Sequence, residues 1–296
     1  MTRSPRQLYA ILAAAALLVA AVSLAVGTTG VTLGTYWQSA SSTAAFFRGI
    51  AQLPLPRLAM AALAGASLAV AGAMFQALFR NPLASPYTLG VSSGASLGAA
   101  IAISLVGGGL WHGLPVVSLA AMTGALVCVS IVYLIARTRE GHAIGTLLLA
   151  GITIGFICSA LIICIMFLAE VRDADSILRW MMGSLVVVGF DPVLESLAVA
   201  SIAGGIAFYL NRDLDLLMMG ETVAAARGVP VRRSRRLIYF GASLLTAAVV
   251  AHCGPIGFIG LLVPHLARAI VGPSHHHLLP ASIGSSRRRA STAWRF

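Results

Sequence analysis

The sequence predicts an all-α, polytopic transmembrane helical bundle, and three observations carry that prediction. Of 296 residues, 58% are hydrophobic and only 10% charged, whereas a soluble domain carries roughly 25% charged residues. Mean hydropathy is +0.92. Several apolar runs reach the ~18 residues that a spanning helix needs. In lipid each segment must satisfy its own backbone hydrogen bonds, so helices or a closed barrel are the only options. The runs are continuous rather than alternating, which argues against the barrel.

Taken in order, Met1–Gln7 carries Arg3 and Arg6 and precedes the apolar run Leu8–Gly27. A signal-peptide core is shorter, ~7–15 residues, so this run is expected to be an uncleaved first span with its N-terminus inside. Further spans are expected at Leu58–Phe79, Thr88–Val106, Pro115–Ala136, Ile144–Ala169, Pro192–Leu210, Leu237–Cys253 and Ile256–Val271. Ile177–Phe190 is too short to span and is expected to be a short helix at the outer surface, with Trp180 at the interface. Small residues such as Gly65 and Gly151–Gly155 suit close helix packing, with a moving pathway helix as the alternative.

The charges agree with this topology. Net charge is +11, and every basic residue is Arg. Arg80, Arg137, Arg139, Arg212, Arg227, Arg232, Arg233, Arg235 and Arg236 fall in inner loops. Arg48, Arg57, Arg172 and Arg179 fall outside, with Glu170, Asp173, Asp175, Asp191 and Glu195. This asymmetry is the positive-inside pattern, so the basic charge is directed at anionic lipid rather than nucleic acid. Cys128, Cys158, Cys164 and Cys253 all lie in apolar stretches, without metal-ligand spacing, and are expected to be buried thiols.

Two segments interrupt the helical pattern. After Gln76-Ala77-Leu78-Phe79, Arg80 suits the C-terminal end of a helix dipole, and Asn81-Pro82 stops the helix. Pro86 and Gly90 keep the following stretch from being a plain helix, and Ser92-Ser93-Gly94 permits a broken helix start. On these grounds a plain loop and a pathway element both stand. Asn211–Arg236 is long for a connector and mixes acids, Ala and Gly, which suits short helices or a solvated loop.

The segment from Gln76 to Ala95 resembles the signature of the FecCD-type permeases that import iron-siderophores, heme and cobalamin. Other pieces follow in that family's order over about residues 50–282: Leu55-Pro56-Arg57, Leu148-Leu149-Ala150-Gly151-Ile152, Trp180-Met181-Met182-Gly183-Ser184-Leu185, Gly220–Val229 and Gly254–Arg268. The resemblance implies a type II ABC importer permease in a bacterial inner membrane, with about eight of ten expected spans present. It implies a permease domain over 1–272, a cytoplasmic coupling loop at 211–236 and a basic tail at 273–296.

Several site residues are carried over by that resemblance. Gly220, Glu221, Ala224, Ala225 and Gly228 match the loop that couples to a separate ABC ATPase subunit. Arg80, Asn81, Pro82, Pro86, Gly90, Ser93 and Gly94 match the pathway or gate motif. Gly257, Pro264, His265 and Arg268 match a structural motif. Arg57 matches a position that docks a periplasmic or lipid-anchored substrate-binding protein; the usual preceding Arg is Pro54 here, so Arg48 is a second candidate. A second permease copy is implied, forming a homodimer with the pathway on its axis. The chain departs from the family at Met219 and Ala226, where Leu is usual.

The chain contains no Lys, so it has no P-loop of the Gly-x4-Gly-Lys-Ser/Thr form. No cofactor of its own, no catalytic residue and no metal site is expected; ATP is bound by the partner subunit. The spans hold almost no ionisable residue apart from His252 and His265, read as structural, which weakens the alternative of an ion-coupled secondary transporter. The expected cargo is a siderophore-type iron chelate, then heme, then cobalamin. After Ser282 the resemblance stops. Arg287-Arg288-Arg289 stands where a further span would begin, and charges of this kind do not insert at a midplane. A frameshifted or truncated product, hence a non-functional remnant, a basic tail on the inner leaflet, and metal binding by His275–His277 all stand as readings of this tail.

Overall fold

The structure, a computed structural model, describes residues 54–106, 110–111, 114–137 and 144–271, with Leu18 and Val22 as isolated positions. The first expected span, Arg48, Arg139 and the tail from 273 lie outside the described residues. Within them the chain runs α1 (Pro54–Phe79), a 3-10 turn (Pro86–Leu89), α2 (Val91–Val106), a two-residue antiparallel pairing of β1 (Leu110–Trp111) with β2 (Leu114–Pro115), and α3 (Val116–Arg137). It continues with α4 (Ile144–Leu168), α5 (Val171–Met181), α6 (Asp191–Tyr209), α7 (Asn211–Met218), α8 (Glu221–Ala226), α9 (Val231–Cys253) and α10 (Ile259–Val271).

Five of these helices, α1, α3, α4, α6 and α9, are long and apolar enough to cross a membrane. At 16 residues α2 reaches ~24 Å, short of a ~30 Å hydrocarbon core. Seven of the expected spans thus have a helical counterpart, the second to the eighth. The seventh needs a correction. Its helix starts at Val231 rather than Leu237, so Arg232, Arg233, Arg235 and Arg236 ride on helix instead of loop. Basic residues oppose the dipole at a helix start; acids from α7 and α8 offset that cost, as described below.

The short outer helix also needs moving. It occupies Val171–Met181, and the residues from Met182 to Phe190 are irregular rather than helical. Asp173 near its N-terminus and Arg179 in its last turn complement the dipole, and Arg179 pairs with Asp175 at 2.8 Å. That exposed carboxylate raises the Arg179 pKa further. Trp180 is half-buried, with its ring packed against the core. Cys164 is exposed, unlike the three buried thiols.

Helices α1 and α9 form the centre. From Ser67 to Phe79 every residue of α1 is buried, and α9 is buried along most of its length. A helix that is apolar all round belongs inside a bundle. Around this pair stand α3, α6 and α10, while α2 packs mainly on α3 and α4. Helix α4 is the most peripheral span, with Leu149, Phe156, Ile163 and Phe167 exposed.

Water does not drive helix association in lipid, so close contact between small residues has to. The α2–α3 contact is built this way. A Cβ on Gly94 would collide with Cys128 and the Gly124 carbonyl, and one on Gly124 would collide with the Gly94 carbonyl. By contrast, nothing lies within 4 Å of a Cβ placed at Gly65. Gly94→Ala is expected to destabilise the chain by about 1–3 kcal/mol through overpacking, whereas Gly65→Ala stays neutral or gains from helix propensity. Thermal unfolding of both variants in the same detergent checks this, and an equal shift in the two would refute the packing account.

Candidate functional site

The interruption after α1 is a built structure. Arg80 sits in the left-handed region (φ 49°), its N–H bonds the Ala77 carbonyl at 3.3 Å, and the Asn81 N–H bonds the Gln76 carbonyl at 3.2 Å. This is a Schellman ending, with Arg where Gly is usual. The Asn81 Oδ1 then accepts from the Leu83 N–H at 2.9 Å. Ser85 Oγ accepts from the Tyr87 N–H at 3.3 Å and opens the 3-10 turn; Thr88 Oγ1 donates to the Ser85 carbonyl at 2.7 Å. Gly90 ends that turn at φ 78°, and α2 begins at Val91. Arg80, Asn81 and Pro82 are exposed, whereas Pro86, Gly90 and Gly94 are buried and Ser93 half-buried. Gly151 of α4 packs on this turn, a Cβ there falling 2.6 Å from the Thr88 carbonyl oxygen.

A second interruption, Gly254–Phe258, lies between α9 and α10 and meets the first. The Tyr87 hydroxyl donates to the Ile256 carbonyl and accepts from the Ile256 N–H at 3.0 Å. Gln76 Nε2 donates to the Leu261 carbonyl at 3.2 Å. Pro264 lies inside α10 and cannot donate to the carbonyl four residues back, that of Gly260. Gly72 of α1 faces this carbonyl, and any Cβ on Gly72 would collide with it. On the other side, the Ser184 N–H donates to the Cys253 carbonyl at 2.6 Å. The quoted motif pieces around 76–90, 180–185 and 254–264 therefore converge on one knot.

The expected coupling loop folds as α7 and α8. Gly220 joins them at φ 124°. A second Schellman ending closes α8: the Gly228 N–H bonds the Ala225 carbonyl and the Val229 N–H the Ala224 carbonyl, both at 3.0 Å, with Gly228 at φ 81°. Both helices are fastened to the start of α9. Ser234 Oγ donates to Asp213 Oδ2 at 2.5 Å, and Arg235 Nη1 meets Glu221 Oε1 at 3.0 Å. Of the five residues carried onto this loop, Gly220 and Ala224 are buried and face their own chain, Glu221 is half-buried in the ion pair, and Ala225 and Gly228 are exposed. A Cβ added at Gly220 would lie 4.0 Å from the Arg80 Nη1, so the end of α1 lies near the loop.

The remaining candidates are dispersed. Arg57 is half-buried in the first turn of α1. Arg48 lies outside the described residues, and so does the side chain of Arg268. Gly257 and His265 are exposed, whereas Pro264 is buried. His252, read as a structural histidine, faces Glu195, with Nε2 to Oε2 at 3.4 Å. Cys128 and Cys158 bring their Sγ atoms within 4.0 Å between α3 and α4.

Tyr87, Gln76, Asp213 and Arg235 received no individual role from the sequence. Gln76 carried a usable signal, as a lone amide in an apolar run. Tyr87 stands among helix-breaking residues, where an aromatic hydroxyl needs a partner. Tyr87→Phe removes both hydrogen bonds to Ile256 and is expected to cost about 1–3 kcal/mol. Amide exchange should quicken at 254–260 in this variant more than at 231–245. Uniform quickening would refute a local clamp.

Comparison with known proteins is consistent with this geometry. Residues 2–286 match the FecCD transport family. The cobalamin import permease of Halobacterium salinarum is 39% identical over 79% of this chain and 62% of its own length. A Bacillus subtilis ABC transporter permease is 40% identical over 77% of this chain and 65% of its own. The hemin transport permease of Yersinia pestis is 32% identical over 95% and 84%. The chain thus spans under two thirds of the first two relatives. A solved inward-facing structure of an ABC transporter assigned to the metal-chelate type superposes with a TM-score of 0.82 at 29% identity, covering 94% of this chain and 86% of that one. With its two helix interruptions clasped together and its paired short helices before α9, this chain belongs to the FecCD transport family.

Proposed function

We propose that the chain is the membrane-spanning permease subunit of an ATP-driven importer for a metal chelate, in a bacterial inner membrane. The observation that carries the reading is the pair α7–α8, stapled to α9 through Asp213–Ser234 and Glu221–Arg235. A surface of Thr222, Val223, Ala225, Ala226 and Arg227 is left exposed on the same unit. Such a unit can receive a push from a separate ATPase and deliver it to the central helix. Family membership and the permease relatives support the same role.

In this reading the segment 211–236 faces the cytosol, in keeping with its arginines. A substrate-binding protein meets the opposite face near Arg57. The apolar strip of α4, with Leu149, Phe156 and Phe167, serves the pathway or a second copy of the chain. Alternate access follows from moving α9 against the knot at Tyr87 and Ile256. The cargo is a metal chelate. Relatives named for cobalamin and hemin favour a metal tetrapyrrole over a siderophore.

Three measurements test this. Uptake of cobalamin, hemin and a ferric siderophore is compared in vesicles holding the chain, its ATPase and its binding protein. ATP-dependent accumulation of at least one is expected, and none would sink the importer reading. Ala226→Trp, on the exposed face of α8, is expected to lower ATPase co-purification and uptake at least tenfold with an unchanged melting profile. A membrane-impermeant maleimide should label Val223→Cys, above the native thiols, only in inverted vesicles. Labelling in intact cells would reverse the topology.

A further inference from the structure

Beside the α8–α9 staple lies a cavity of about 530 Å³. Its floor is apolar and aromatic, with Leu78, Leu147 and the fully buried Tyr239. Its wall carries four arginines, Arg137, Arg232, Arg235 and Arg236, against one acid, Glu221. That acid is engaged by Arg235, and Arg236 Nε donates to the Tyr133 hydroxyl at 3.3 Å. Neither Arg137 nor Arg232 forms an ion pair with a carboxylate of the described residues.

Like charges gathered round one shared space repel, and an anion between them relieves that repulsion. Guanidinium forks match phosphate oxygens in a bidentate manner. Basic pockets between transmembrane helices take phosphate headgroups. Above Arg137 along α3, Ile131 and Leu134 are exposed, which offers an acyl chain an apolar track beside the cavity. We propose that this cavity is a phosphate-anion site, occupied by the headgroup of an anionic phospholipid or by free phosphate. The bound anion braces the Arg235–Glu221 staple and so stiffens α8 against α9. The site stands on the cavity, and its assignment to the inner leaflet rests on the topology proposed above.

The test uses the full chain in nanodiscs, which open both faces, so the outcome is independent of orientation and of transport. Three preparations are compared: phosphatidylcholine alone, phosphatidylcholine with phosphatidylglycerol, and phosphatidylcholine with millimolar inorganic phosphate against chloride of equal ionic strength. Native mass spectrometry reads retained lipid, and hydrogen exchange reads residues 221–236. Slowed exchange with phosphatidylglycerol, together with its preferential retention, identifies a lipid headgroup; slowed exchange with inorganic phosphate identifies a free anion. Either result supports the site. Arg137→Gln and Arg232→Gln should each weaken the effect about fivefold, while Arg232→Lys keeps part of it. Both side chains are exposed, and an unchanged melting profile certifies the fold. No slowing with either anion, or slowing untouched by both Gln variants, overturns the proposal.

Discussion

The fold depends on one mutual satisfaction of backbone groups. Inside a membrane an unpaired N–H or carbonyl costs several kcal/mol, and this chain breaks its helices twice where that cost applies. The two breaks repair each other. Tyr87 supplies one hydroxyl that both donates to and accepts from Ile256. Gln76 reaches the Leu261 carbonyl, and Ser184 caps the Cys253 carbonyl. Without Tyr87 the Ile256 N–H and carbonyl would lose this partner, so the two interruptions are coupled through one side chain.

The same knot explains why α1 and α9 are central. Each leads into one interruption, and each is buried along most of its length. The glycines at 72 and 260 let α1 come against the carbonyl that Pro264 cannot bond. Close approach here brings the α1 backbone directly over the Gly260 carbonyl, which a side chain at 72 would block. Peripheral α4 has no such obligation, and its apolar side chains point outward.

The fold class was fully legible in the sequence because lipid tolerates little but apolar helix, and composition reports that directly. Most span limits followed, as did the break at Asn81-Pro82 and the short helices of 211–226. The start of α9 was not legible. Arg232 to Arg236 read as loop because four guanidinium groups at a helix start oppose its dipole, and the compensating acids, Asp213 and Glu221, come from 21 and 14 residues away. The position of α5 was missed for a related reason: its acids read as solvated loop, although Asp173 and Asp175 stabilise that helix by place and pairing. The partners of Tyr87 and His252 lie 169 and 57 residues distant, beyond any local pattern.

Those long-range pairs also set what can move. Helix α9 carries the ion pair with α8 at one end and the Gly254–Phe258 break at the other. Because Ser234 and Arg235 are adjacent, α7 and α8 are held to the same turn of α9, and neither can shift without loading it. The Arg235 guanidinium is mostly buried and its Glu221 partner less so. Such a half-exposed pair contributes modestly to stability, which suits a joint that must remain registered yet yield. The link from α8 to the Tyr87 clasp thus runs through α9, which holds Arg235 near its start and leads into Ile256 at its end.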